Sequence, residues 1–225
     1  MRYNIFNHIH KALRSLLYDT ALRVQQTDFV DYAETEQTLK KLQQVIELFD
    51  KHACHEDNYV LPAIQQFEPS ISAAFEEEHI EDHALGQRLA GLMNAYQHAV
   101  TTEERTHMGV SIHNAYIEFM VFNLKHMAKE ERIINAALWK HYDDTQIQNL
   151  NNIIVSNIPQ EELAFSSLWM IKSLNNQEII GWLKQVRSNA PEPAFRALFN
   201  MAATELAPQR WNFIQEVLME GVLVA

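Results

Sequence analysis

Two histidines, a cysteine, a glutamate and an aspartate fall within six positions of the stretch KHACHED: His52, Cys54, His55, Glu56 and Asp57. Imidazole, thiolate and carboxylate are the side chains that bind metal ions or carry protons. The same chemistry recurs at His8 and His10, at His79 and His83 in EEEHIEDH, and at His126 and Glu130 in KHMAKEER. Three of these places carry a His followed four residues later by Glu or His: His52/Glu56, His79/His83 and His126/Glu130. That spacing puts both side chains on one face of a helix. One such pair means little in a chain with 11 His and many Glu. Several pairs aimed at one place would mean a site.

Four long segments have the apolar periodicity of helices that could aim them. The first covers roughly residues 3–24, with Phe6, Ile9, Leu13, Leu16, Leu17 and Val24 on one side. The polar stretch QQTDFVDYAETE reads as a linker or irregular arm. The second covers roughly residues 34–59 and carries Leu39, Leu42, Val45, Ile46 and Phe49; Pro62 should kink or end it. The third starts near Pro69 and Ser70 and carries Ile71, Phe75, Leu89, Met93 and Tyr96. The fourth follows the capping pair Thr101 and Thr102, has Glu103 and Glu104 in its first turn, and continues to about Trp139. Short loops between four such helices predict an all-α, up-down-up-down four-helix bundle over residues 1–142. Residues 143–225 change character. NIP, SNAPEP and APQ punctuate short amphipathic segments, which predicts a small C-terminal helical extension with Trp169, Trp182 and Trp211 as packing anchors. No repeat stands out there, and no metal-ligand spacing.

Placed on these helices, the candidates separate by face. With His52 at zero and about 100° per residue, Glu56 lies near +40°, Phe49 near +60° and the mean apolar direction near +70°. His52 and Glu56 therefore point inward, Cys54 and His55 outward, and Asp57 lies at the far edge of the inward face. His10 is in line with Phe6, Leu13 and Leu17, whereas His8 lies on the far side. His126 and Glu130 share the face of Phe119, Phe122, Ile133 and Ala137; Glu131 is about 100° away. His79 and His83 lie near the edge of the third apolar stripe, His83 the less central. The remaining histidines, His55, His98, His107, His113 and His141, read as surface residues. The acidic run before His79 reads as a solvated face, or as a funnel that draws cations in.

Four consecutive helices thus send His10, His52 and Glu56, His79 and His83, and His126 and Glu130 toward one interior. Burying these groups unpaired costs several kcal/mol per ionised group. A pair of cations resolves that cost: two Glu can bridge two metals, and five His fill most other positions. Imidazole with carboxylate suits iron, and manganese or zinc would also be accommodated.

The bulk composition excludes several classes. Apolar residues make up 47%, enough for a packed core. A net charge of −11 without a Lys/Arg cluster argues against nucleic acid and against an anionic membrane surface. A single Cys precludes an intrachain disulfide framework. With no signal-like start and no run of 18 apolar residues, a cytoplasmic location is expected. The oligomeric state is not encoded in any of these features.

The order His10, His52-x-x-x-Glu56, His79-x-x-x-His83, His126-x-x-x-Glu130 resembles the hemerythrin-like (HHE cation-binding) family. The flanking text agrees: IHKALR, HEDNYVLPAI, EEEHIEDHALGQRL and KHMAKEERIINAAL. The resemblance spans about residues 1–142 and implies a non-haem diiron centre. It implies that His79, His83 and His126 hold one iron and His10 and His52 the other, with Glu56 and Glu130 bridging. The vacancy on the second iron would take O2, NO or peroxide. The O2-carrying branch has a His-x-x-x-x-Asp on its last helix. Here the inward carboxylate is Glu130, one residue closer and a methylene longer, which resembles the iron-sensing and nitrosative-stress branches. Some members there use one His on the third helix, with Asp82 or solvent then taking the place of His83.

The function expected is a metal-binding protein that binds or senses O2, NO, peroxide or iron. Two other readings stand beside it. One is a diiron oxidoreductase, which needs an external reductase because no flavin, nicotinamide or iron-sulfur motif is present. The other is a protein-interaction module that docks a partner through residues 143–225, with the metal regulatory. Whether the chain turns over a substrate is left open by the sequence.

Overall fold

The computed structural model describes residues 2–223, with side chains described through Met219. Among these residues every regular element is helical, as expected. Helix α1 spans Asn7–Gln26, α2 Tyr32–His55, α3 Leu61–Gln65, α4 Pro69–Gln97 and α5 Thr102–His141. Five shorter helices follow: α6 Asp144–Asn157, α7 Gln160–Ser173, α8 Asn176–Asn189, α9 Glu192–Glu205 and α10 Pro208–Leu223.

Local chemistry sets the boundaries. Asp31 caps α2 by accepting the Glu34 N–H at 3.0 Å. Pro69 occupies the first turn of α4, where its missing N–H costs nothing. Thr101 and Glu104 close a reciprocal capping box on α5. The polar stretch expected as a long arm is mostly helical: α1 runs through Gln26 and α2 begins at Tyr32. The short connection holds Phe29, whose ring covers Gly109 of α5 so closely that a Cβ there would lie 2.4 Å from its Cγ. The Tyr96 hydroxyl of α4 donates to the Phe29 carbonyl at 2.6 Å.

Pro62 does not end the second helical run. The helix widens just before it into a π turn, Glu56–Val60, in which the Leu61 N–H reaches back five residues to the Glu56 carbonyl. The helix then continues as α3. Proline has no N–H for the α-type bond and its ring crowds the carbonyl four residues back, and the wider turn absorbs both effects.

The chain divides into two compact units: residues 1–7 with 16–157, and residues 8–15 with 158–225. In the first, α4 packs along α5 and against α2. The Gly86 Cα faces Ile46 and Phe119, and Phe49 meets Phe119 edge to face at 5.4 Å. Tyr116 is fully buried, and its hydroxyl donates to the Leu17 carbonyl. At one end of this unit Phe6, Leu61, Ile64, Phe75 and Ile134 form a continuous apolar layer that includes Ile147 of α6.

In the second unit α7 and α9 are built alike. Helices α7 and α9 have equal length, each follows a proline of the same conformation (Pro159 φ −56°, ψ 144°; Pro191 φ −58°, ψ 144°), and each is closed by a leucine, Leu174 or Leu206. The buried positions Ser166 and Leu174 correspond to Leu198 and Leu206 at the same offset. Helix α7 lies against α9, and α8 against α9 and α10. A shared core of Ile171, Ile179, Leu183, Leu198, Ala202 and Ile214 joins them.

Candidate metal centre

The apolar stripes that build the first unit also fix where its polar side chains go. His126 and Glu130 lie on the buried face of α5, and Glu130 is fully buried. Glu56 opens the π turn and is 2% exposed. His79 sits on the buried face of α4 at 6% exposure, and His52 on α2 is partly buried. His10 is fully buried on α1.

These six residues form two groups in which one ligand atom of each member lies within 4.8 Å of the others: His10, His52, Glu56 and Glu130; and Glu56, His79, His126 and Glu130. Both groups contain the same two carboxylates.

The carboxylates face histidines in two directions. Glu56 Oε1 lies 3.2 Å from His52 Nε2, and its Oε2 lies 3.3 Å from His79 Nε2. Glu130 Oε1 lies 2.9 Å from His126 Nε2 and 3.6 Å from His79 Nε2. Two ligands of one cation at about 2.1 Å sit roughly 3.0–3.4 Å apart, so this spacing suits a shared ion. His79 Nε2 is buried and makes a hydrogen bond of good geometry with neither carboxylate, as expected of a nitrogen aimed between them. The arrangement can hold a metal ion.

The outer imidazole nitrogens are also engaged. His79 Nδ1 lies 2.6 Å from Asp57 Oδ1, and His126 Nδ1 lies 2.9 Å from Glu78 Oε2. Glu78 Oε1 in turn accepts from Lys129 Nζ at 2.7 Å. Phe122 stacks on the His126 ring, and Phe75 meets it edge-on. Burial pulls the pKa of His79 down, but Glu130, Glu56 and Asp57 outweigh it and raise it to about 11. The same contest at His126, with Glu130 and Glu78 opposing burial, raises its pKa to about 9. Positive charge is favoured where the carboxylates converge.

His83 is not brought to the cluster. Its side chain is 60% exposed, and its Nδ1 lies 3.0 Å from Asp50 Oδ1. The reason is angular. The buried residues of α4 centre about 40° to the Asp82 side of His79, which leaves His83 about 80° off that line. Asp82 is buried instead, accepting from Asn123 Nδ2 at 2.5 Å. Its pKa is raised to about 6 by burial, against the lowering effect of that hydrogen bond. It belongs to neither ligand group.

Asp57 and Glu78 were not assigned a place in the site by periodicity. Asp57 sits at the edge of its helix face, and Glu78 is one acid in an acidic run. Each reaches across to a histidine on a different helix, a relation that spacing within one helix does not carry. Cys54 is exposed, as its angle implies. Comparison with known protein families, with curated proteins and with solved structures finds no match for this chain.

Proposed function

We propose that the chain is a metal-binding protein of the hemerythrin-like kind, in which α1, α2, α4 and α5 form a four-helix bundle around a non-haem diiron centre. His10 and His52 hold one iron, His79 and His126 hold the other, and Glu56 and Glu130 bridge them. The observation that carries this reading is the pair of ligand groups sharing the same two buried carboxylates. A single-ion site has no use for two histidine pairs on opposite sides of those carboxylates.

When bound, such a centre supplies redox chemistry toward small oxidants and diatomic ligands. The protein's part is to hold imidazole and carboxylate in a water-poor interior and to limit what enters. With His83 turned outward, two histidines would be available to hold each iron, His10 and His52 for one and His79 and His126 for the other. The function that follows is binding or sensing of O2, NO, peroxide or iron itself.

The bridging role is tested by paired substitutions. Glu130→Ala removes an oxygen donor from both groups and should lower retained metal at least about tenfold, a loss typical of weakened metal sites. Glu131→Ala should leave it unchanged. Elemental analysis of both purified variants decides: equal metal content in the two contradicts the assignment.

A further inference from the structure

We propose that Asp57 and Glu78 are positioning residues for the metal position at His79 and His126, each holding its imidazole with Nδ1 protonated and Nε2 turned to the ion. The inference rests on the metal-binding reading above. Asp57 Oδ1 stands 2.6 Å from His79 Nδ1, and Glu78 Oε2 stands 2.9 Å from His126 Nδ1. An ionised carboxylate only accepts hydrogen bonds, so Nδ1 is the donor in both pairs. In the neutral ring that binds an ion, the lone pair then lies on Nε2, the atom that faces Glu56 and Glu130. A carboxylate behind a ligating imidazole fixes its tautomer and ring direction and raises its basicity.

The two clamps are built alike. Asp57 follows the α2 ligand Glu56 in sequence but grips a ligand on α4. Glu78 precedes the α4 ligand His79 but grips a ligand on α5. Each clamp therefore ties a ligand to a neighbouring helix, so the ring's direction does not depend on its own backbone alone. Glu78 is itself steadied by Lys129, which takes its second oxygen at 2.7 Å. Asp57 owes its reach to the π turn that begins at Glu56. A π turn advances less per residue than an α-helix, which lets two adjacent acids serve the same centre, Glu56 from inside and Asp57 from outside.

Cobalt(II) titrated into the metal-free full-length protein, followed by its visible ligand-field bands, tests this. Asp57→Ala and Glu78→Ala should each bind about 10–100-fold more weakly than the unaltered chain, with shifted bands. Asp57→Asn and Glu78→Gln keep an oxygen that can accept from Nδ1–H and should recover most of the loss. Glu77→Ala, which removes an exposed neighbouring acid, should match the unaltered chain. Normal affinity in both alanine variants overturns the positioning role alone, as does a loss that Asn and Gln fail to restore. An unaltered chain that takes up no cobalt overturns the metal-binding reading and this inference with it.

Discussion

Glu56 and Glu130 sit where two sets of imidazoles converge, and this governs how protons and cations compete in the site. In the metal-free protein the pKa values of His79 and His126 are raised to about 11 and about 9, above the ordinary value of 6.5. The folded chain therefore holds protons that the unfolded chain has released. This stabilisation is complete below about pH 6.5 and is lost as pH rises, through about 9 for His126 and about 11 for His79. Denaturant unfolding in the presence of a chelator should show stability falling between pH 6.5 and 9; a flat or rising profile contradicts the charge assignment. Metal uptake has the opposite sense, because ligating imidazoles must be neutral, so affinity should weaken as pH falls. Residue by residue, the inward side chains were legible because a buried side chain must share a face with the apolar stripe. His10, His52, Glu56, His79, His126 and Glu130 pass that test. His83 lies about 110° from the mean direction of Ile71, Phe75, Leu89, Met93 and Tyr96 on the same count, so the angle argues against it; only its spacing from His79 and the family resemblance drew it in. Asp57 and Glu78 act between helices, where periodicity carries no information.

The elements depend on a few close approaches. Gly109 lies under the ring of Phe29, which holds the α1–α2 connection against α5. Gly109→Ala should cost about 1–3 kcal/mol, the range for overpacking a tight contact. Gly91 lies in α4 with open space around its Cα, so Gly91→Ala should stabilise by roughly 0.5–1 kcal/mol through helix propensity. Urea unfolding of the two variants checks both signs, and a stabilising Gly109→Ala would show that the Phe29 contact is not confining. Helix starts were readable at Thr101 with Glu104 and at Pro69, but the cap at Asp31 lies three residues before the start read at Glu34, and the capping box of Asn175 and Glu178 was not picked out. The connection after α1 was not readable, because polar residues extend helices whose packing is supplied by the opposite face. The effect of Pro62 was half legible: its missing N–H is evident in the sequence, but the π turn that accommodates it depends on packing around Val60 and Leu61. The likeness of α7–α8 to α9–α10 was hidden because corresponding positions exchange residue type and burial together: Ile179 is buried where Trp211 is half-buried, and Trp182 is half-buried where Ile214 is buried.

At the scale of the molecule, His10, His52 and Glu56, His79, and His126 and Glu130 come from α1, α2 with the turn after it, α4 and α5, and they make up the two groups that could hold a metal ion. The order and spacing of these residues singled them out before any distance could be stated. Helices α7–α10 contribute no member of either group among the described residues. No helix among the described residues is long and apolar enough to cross a membrane. The central claim is that two cations share the carboxylates of Glu56 and Glu130. The most direct measurement counts metals per chain, with an absorption spectrum, on protein made in iron-rich medium before and after exposure to air or NO. Two irons per chain and an oxo-bridged charge-transfer band that responds to the gas are predicted. One zinc per chain, or no metal and no loss of stability on chelation, would contradict the account.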